Sequence, residues 1–255
     1  MKFITLLTTL LVTSAFAKGR ITEDRVLTEP TQFGEVLIAP GTIRVFKDNG
    51  DLAQGLLAKE QNLHGIVFKS GTKVTIPDYP LSMNRHEMIL ESDAEMTVNN
   101  MPFGTWMSFT ENPQTDLTEV MTNLVKPAHL LGVDLAPVGY FRYQCIYNDC
   151  ARVSRLVDFT LAQDLLFQGI PVPAGSRIDT SRFNVELRLS RDVEAQGLSL
   201  KGNNEASVYL NQFGRVIQFN AGRTFTYRGI EIPAGYFVRL DHDGKVLQVG
   251  NQTFP

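Results

Sequence analysis

The chain reads as an all-β protein, an antiparallel meander of repeated short hairpins drawn out as an elongated, solenoid-like β-repeat or a twisted open sheet. Three observations predict this. A phrase of Gly, an apolar triplet and a Pro/Ala/Gly or similar turn recurs, as Gly65 to Gly71, Gly169 to Gly175 and Gly229 to Gly235. Looser copies stand at Gly34 to Gly41, Gly132 to Gly139 and Gly197 to Gly202. Short runs rich in branched and aromatic residues fill the spaces between turns, and no long stretch carries helical periodicity. A lone hairpin cannot bury its apolar face, so a recurring hairpin phrase predicts units that lean on one another.

In chain order, Met1 to Ala17 has the parts of an export signal: Lys2, an apolar run through Leu6, Leu7, Leu10, Leu11 and Val12, and Ala15-Phe16-Ala17 as a small-x-small cleavage site. Residues 18–33 are read as an N-terminal cap, and 34–255 as one β-repeat domain. Within it Val36 to Ala39, Thr42 to Phe46, Leu52 to Ala58, Leu63 to Phe68 and Thr72 to Ile76 are predicted strands. Two turn types are expected to alternate. In Pro173-Ala-Gly175 and Pro233-Ala-Gly235, proline is read at the second turn position and glycine at the fourth. The polar type ends in glycine, as in Lys47 to Gly50, Asn211 to Gly214 and Asp241 to Gly244.

The middle departs from this pattern. Pro77 to Glu87 and Asn112 to Asp116 are longer than a turn needs, and repeat proteins place contacts on such excursions. Val185 to Leu189 and Lys245 to Val249 alternate apolar and polar residues, predicting a sheet with one buried face. Met88-Ile-Leu90 and Leu130-Leu131 break that alternation and predict burial on both faces.

Composition excludes some partners. Lys2 is the leader's one basic residue, so 24 basic residues fall to 23 against 27 acidic, a net charge of −4. A nucleic-acid binder needs a basic face, and none is expected. Cys145 and Cys150 flank Ile146-Tyr-Asn-Asp149, so both sulfurs can meet across a four-residue loop, and an exported chain should oxidise them to a disulfide.

Candidate chemistry is sparse. His64, His86, His129 and His242 show no metal-ligand spacing and are read as polar surface or interstrand hydrogen-bonding groups. Asp48 to Asp51 and Asp241 to Gly244 lack the spaced oxygen donors of a calcium loop and are read as hairpin turns. There is no Gly-x-Ser-x-Gly, His-Glu-x-x-His or phosphate-cradling loop. No cofactor, metal or catalytic residue is assigned, and a carboxylate pair assembled by the fold is the one enzyme reading left open. Aromatic residues near strand positions are expected as buried rungs between units.

These readings give an exported, non-catalytic binding protein, periplasmic or secreted, whose surface meets an envelope protein, a glycan or a lipid. The candidate surface is Tyr79, Met83, Arg85, His86, Trp106 and Phe109. Self-association through edge strands is a further expectation. The alternatives are a periplasmic lipid or lipopolysaccharide carrier and an outer-membrane β-barrel, although most strands are shorter than a barrel needs. An integral membrane protein is not expected.

Overall fold

The computed structural model describes residues 20–78, 86–112, 115, 117–146 and 149–254, and among these every regular element is a β-strand. The proposed leader lies outside the described residues. The chain is a series of long hairpins whose tips fold over. The first unit is β1 (Thr22–Leu27), the tip hairpin β2 (Thr31–Phe33) and β3 (Val36–Ile38), and β4 (Gly41–Phe46). The second repeats it with β5 (Leu52–Leu56), β6 (Gln61–Leu63), β7 (Ile66–Phe68) and β8 (Lys73–Thr75). The third is irregular: β9 (His86–Glu91), β10 (Met96–Val98) and the long β11 (Met101–Asn112). The fourth runs β12 (Leu117–Leu124), β13 (Ala128–Leu130), β14 (Val133–Leu135) and β15 (Val138–Ile146). The fifth has β16 (Val153–Thr160), β17 (Leu165–Phe167), β18 (Ile170–Val172) and β19 (Arg177–Asp179). The sixth has β20 (Val185–Arg188), β21 (Val193–Ala195), β22 (Leu198–Leu200) and β23 (Ser207–Leu210). The seventh has β24 (Val216–Asn220), β25 (Phe225–Tyr227), β26 (Ile230–Ile232) and β27 (Phe237–Leu240), and β28 (Val246–Val249) with β29 (Gln252–Thr253) closes the array.

The outer strands of every unit join in one antiparallel meander: β1, β4, β5, β8, β9, β11, β12, β15, β16, β19, β20, β23, β24, β27, β28 and β29, with β10 beside the first half of β11. At the usual spacing between neighbouring strands, such a sheet is about 70 Å across. It does not close into a barrel. The barrel alternative is therefore corrected. Short strands interrupted by charge twist into an open sheet with two edges, and one edge, β1, is the charged run Thr-Glu-Asp-Arg-Val-Leu, which discourages pairing with another chain.

Three local rules build each unit. The tip hairpins turn through two residues at positive φ, as at His64-Gly65, Gln168-Gly169, Gln196-Gly197 and Arg228-Gly229. This is the type I′ geometry whose twist matches the flanking strands. The predicted strand Leu63 to Phe68 is thus two strands with a reversal inside it, and Leu131, at φ 50° in the corresponding turn, is exposed and not buried on both faces.

The corner back to the sheet is the second rule. Ser176 N–H donates to Pro173 O, and Gly175, at φ 78°, donates to Leu161 O. Proline therefore stands first and glycine third, a type II turn, where the sequence reading placed them second and fourth. Tyr236 N–H to Pro233 O and Thr72 N–H to Lys69 O repeat the geometry. A side chain ten residues earlier pins the corner from outside, Asp164 accepting from Ala174 N–H at 2.8 Å and Thr224 from Ala234 N–H at 3.1 Å.

The polar turns supply the third rule. Asn211 Oδ1 accepts from Phe213 and Arg215 N–H, and Asp241 Oδ1 from Asp243 and Lys245 N–H, so both are hairpin turns as expected. Folded tips reach back to these turns. Gln196 Nε2 donates to Gly214 O at 2.7 Å while its Oε1 accepts from Val216 N–H at 3.1 Å, and Arg228 Nη2 donates to Asp243 O at 2.9 Å.

The core lies between the sheet and the folded tips. One face of the sheet contributes Val74, Leu90, Met107, Phe109, Val120, Phe141, Ile178, Leu187, Val208 and Phe219, all essentially fully buried. The tips answer with Ile38, Leu63, Phe68, Ile170, Val172, Leu198 and Ile232 in the same cluster. Aromatic rungs between the layers are found as expected, Phe68 meeting Phe109 edge-on and Phe103 stacking over Tyr143 with centroids 5.9 Å apart. Neighbouring units are tied by single bridges at Ile38 to Leu57, Leu135 to Leu161 and Leu200 to Ala221.

Candidate functional site on the open face of the sheet

Because side chains alternate across a sheet, the residues between the core positions share the opposite face, which the tips do not cover. Register partners there form one unbroken row across all sixteen strands. It starts Asp24, Arg44, Gln54, Thr75, Ile89, Ser108, Met121. It continues Arg142, Asp158, Asp179, Glu186, Tyr209, Gln218, Arg239, Gln248, Thr253. All but Ile89 and Met121 are polar.

The row is most densely charged between β12 and β23. Asp158, 1% exposed, is clasped by Arg177 through Nε to Oδ1 at 2.6 Å and through Nη2 to Oδ2. Arg142 reaches Glu119 at 3.0 Å and Asp179 at 3.2 Å, and Arg188 meets Glu186 at 3.0 Å. Tyr140 lies under both Arg142 and Arg177, its ring centroid 5.6 and 5.7 Å from their guanidinium carbons. Like charges stand directly opposite one another: Asp158 with Asp179, Asp179 with Glu186, Arg177 with Arg188. Cross-strand like pairs cost stability, and here the diagonal arginines offset them.

Arg177, Asp179, Glu186 and Arg188 line a shallow depression. Four ionisable groups converge there, two of them the carboxylates of Asp179 and Glu186. Burial pulls the Asp179 carboxyl upward, but hydrogen bonds from Ser181 and the charges of Arg142 and Arg177 outweigh it and hold the pKa below the usual range. Burial acts likewise on Glu186, and the Ser207 hydroxyl with Arg188 overrides it. Both carboxylates are held ionised and already engaged, whereas a general acid needs a raised pKa. Among the described residues no group of three His, Cys, Asp or Glu side chains is placed to hold a metal ion.

Of the expected surface residues, Tyr79, Met83 and Arg85 lie outside the described residues, and His86 is described only as the first residue of β9, opposite Glu111. Trp106 is half-buried on the open face, opposite Glu91, which pairs with Lys73 Nζ at 2.5 Å. Phe109 is corrected: three residues further along the strand it points to the core, 1% exposed, and presents no surface. The charged ladder was missed because no short spacing marks it. Its charged members come from five strands, and the like-charged rows exist only once the register is known.

Phe109 is covered by an unexpected cluster. His64, read from the sequence as a polar surface or interstrand hydrogen-bonding group, stacks on it at 4.7 Å with a side chain 4% exposed, its Nε2 3.3 Å from Glu35 and its Nδ1 3.7 Å from Glu111. The bond to His64 lowers the Glu35 pKa below its ordinary value. His129 pairs with Asp134 across its hairpin at 2.7 Å, as an interstrand group should.

Cys145 and Cys150 form the expected disulfide. Cys145 sits in β15 opposite Val153, so Cys150 belongs to the loop, which it draws inward. Its N–H donates to His64 O at 2.7 Å, and its carbonyl accepts from the Tyr143 hydroxyl at 3.1 Å. Burial pushes the Tyr143 phenol pKa upward. Comparison with protein-family models, with curated proteins and with solved structures gave no match.

Proposed function

We propose that the protein is a non-catalytic β-repeat scaffold of the cell envelope that holds a polar partner against the open face of its sheet. The observation that carries this reading is the continuous polar register row, in which Arg142 is fixed by Glu119 and Asp179 and stays partly exposed over Tyr140. Arginine and tyrosine are the residues that binding surfaces favour, and ordering them beforehand lowers the cost of association. The contact area runs from Trp106 through Tyr140 to Tyr209.

Two further facts support parts of this reading. A disulfide suits an oxidising compartment and so an exported chain. No helix of the described residues is long and apolar enough to cross a membrane. The carrier alternative needs room for acyl chains, and the space between sheet and tips is filled by Phe68, Phe103, Phe141, Phe219 and their neighbours. No observation favours it.

The test is a pull-down from native envelope with the intact protein and with a variant carrying Arg188→Glu and Tyr209→Ala. Both positions are partly exposed and should leave the fold unchanged. A partner retained by the first and lost with the second supports the reading. Identical capture by both overturns it.

A further inference from the structure

A different surface carries a second contact. The turns that join one unit to the next lie at one end of the sheet, because each unit leaves and returns to that end. Two successive turns there, residues 180–184 between β19 and β20 and residues 211–215 between β23 and β24, each hold a phenylalanine in solvent. Phe183 is 101% exposed and Phe213 is 74% exposed. Two strand spacings separate the turns in the pairing order β19, β20, β23, β24, which puts them about 10 Å apart along the edge.

Neither turn is loose. Asp179 Oδ1 accepts from Ser181 N–H at 2.8 Å, and Arg155 Nη2 donates to Thr180 O at 2.5 Å. In the second turn Asn211 Oδ1 holds Phe213 and Arg215 N–H, and Gln196 holds Gly214 from the tip behind. The fold therefore holds in water two large apolar groups that the core does not need.

Charge chooses among the surfaces that could cover them. The sequences Thr-Ser-Arg-Phe-Asn and Asn-Gln-Phe-Gly-Arg contain no carboxylate, and each sets an arginine within two residues of its phenylalanine. The flanking turns differ: Asp149 and Arg152 pair at 3.4 Å and cancel, while Asp241 and Asp243 make the next turn acidic, and Arg215 reaches it with one nitrogen, Nη1 donating to His242 O at 3.2 Å. The cationic, aromatic patch is thus confined to the two turns. Both rings stand exposed on neighbouring turns at one end of the sheet, each beside an arginine. An interfacial lipid layer takes each ring singly and rewards basic residues beside it.

We infer that this edge docks on an anionic lipid surface, with Phe183 and Phe213 entering the headgroup boundary and Arg182 and Arg215 facing lipid phosphates. The sheet then stands edge-on to the membrane, and its open face stays free for the partner proposed above. The two readings use different residues and fail separately.

The test is flotation of the intact protein with phosphatidylcholine vesicles and with vesicles in which about three lipids in ten are phosphatidylglycerol. The anionic vesicles should bind the protein at low salt and release part of it as salt rises. Phe183→Ser with Phe213→Ser should weaken partitioning by roughly a hundredfold, about tenfold per ring. Arg182→Gln with Arg215→Gln should remove the salt-sensitive part, and thermal unfolding should match the parent for both pairs. No binding to anionic vesicles, or binding unchanged in the double-phenylalanine variant, would overturn the inference. A soluble protein partner lost with that variant while vesicles stay bare would also overturn it.

Discussion

Arg177 clasps the buried carboxylate of Asp158 with two of its nitrogens, while Arg142 stands 3.6 Å away on the other side. A charge that deep is tolerated only while it is paired. Arg177→Ala should therefore cost about 2–3 kcal/mol, somewhat below the range for a fully buried pair because the arginine itself is partly exposed. Arg188→Ala, which frees a more exposed carboxylate beside Ser207, should cost less than about 1 kcal/mol. Urea unfolding of the two variants checks the order, and equal midpoints would contradict it.

Acid should loosen the same ladder and the Glu35–His64 contact. Asp179, Glu186 and Glu35 have pKa values below the ordinary carboxylate range in the folded protein, so each binds protons less readily folded than unfolded. Their contribution is fully present above the unfolded values, near pH 4, and is lost as pH falls through the lower folded ones. The unfolding midpoint should fall steeply below about pH 4, and less steeply in Arg142→Gln, which removes one cause of the Asp179 shift. Parallel curves would remove Arg142 from that account.

Phe109 and Trp106 separate core from surface. Phe109→Ala deletes a ring packed under His64 and against Phe68 and should cost about 3–5 kcal/mol. Trp106→Ala should cost distinctly less, since part of that ring is already in water. Thermal melts of the two proteins measure the difference.

Two glycines are needed for different reasons. A Cβ at Gly169 meets nothing within 4 Å, yet φ is 79°, so Gly169→Ala should cost about 1–2 kcal/mol through the backbone alone. A Cβ at Gly202 would fall 1.9 Å from Arg191 O, so Gly202→Ala must move backbone and should cost more. Chemical denaturation should rank them in that order.

The Cys145–Cys150 bridge closes a short ring, and loop-closure entropy limits its worth to about 2 kcal/mol. Replacing both by serine should lower stability by no more than that. Intact mass without reductant should be two hydrogens below the reduced protein, and free alkylation of both sulfurs would contradict the bridge.

The meander, the polar turns, the disulfide and the half-buried sheet were legible because each depends on neighbours in sequence. Asn211 and Gly214 announce their own turn, and Val185 to Leu189 shows its own alternation. The tip turns were hidden because their first residue is His64, Leu131, Gln168 or Arg228, none of which signals a reversal by type. Folding of the tips over the sheet then decided the rest. It buried His64 on Phe109 beside Glu35 and Glu111, three units meeting where the chain gives no sign of contact. The parity separating Trp106 from Phe109 needs only the strand's limits, but which parity faces the tips depends on the whole sheet.

The central claim is that the open face is the working surface, and site-specific photo-cross-linking in the native envelope tests it most directly. A photoreactive side chain at Trp106 or Tyr209 should yield a discrete partner adduct, while one at Thr226 or Glu231, on the outside of a tip hairpin, should not. Adducts from the tip positions with none from the open face would contradict the account.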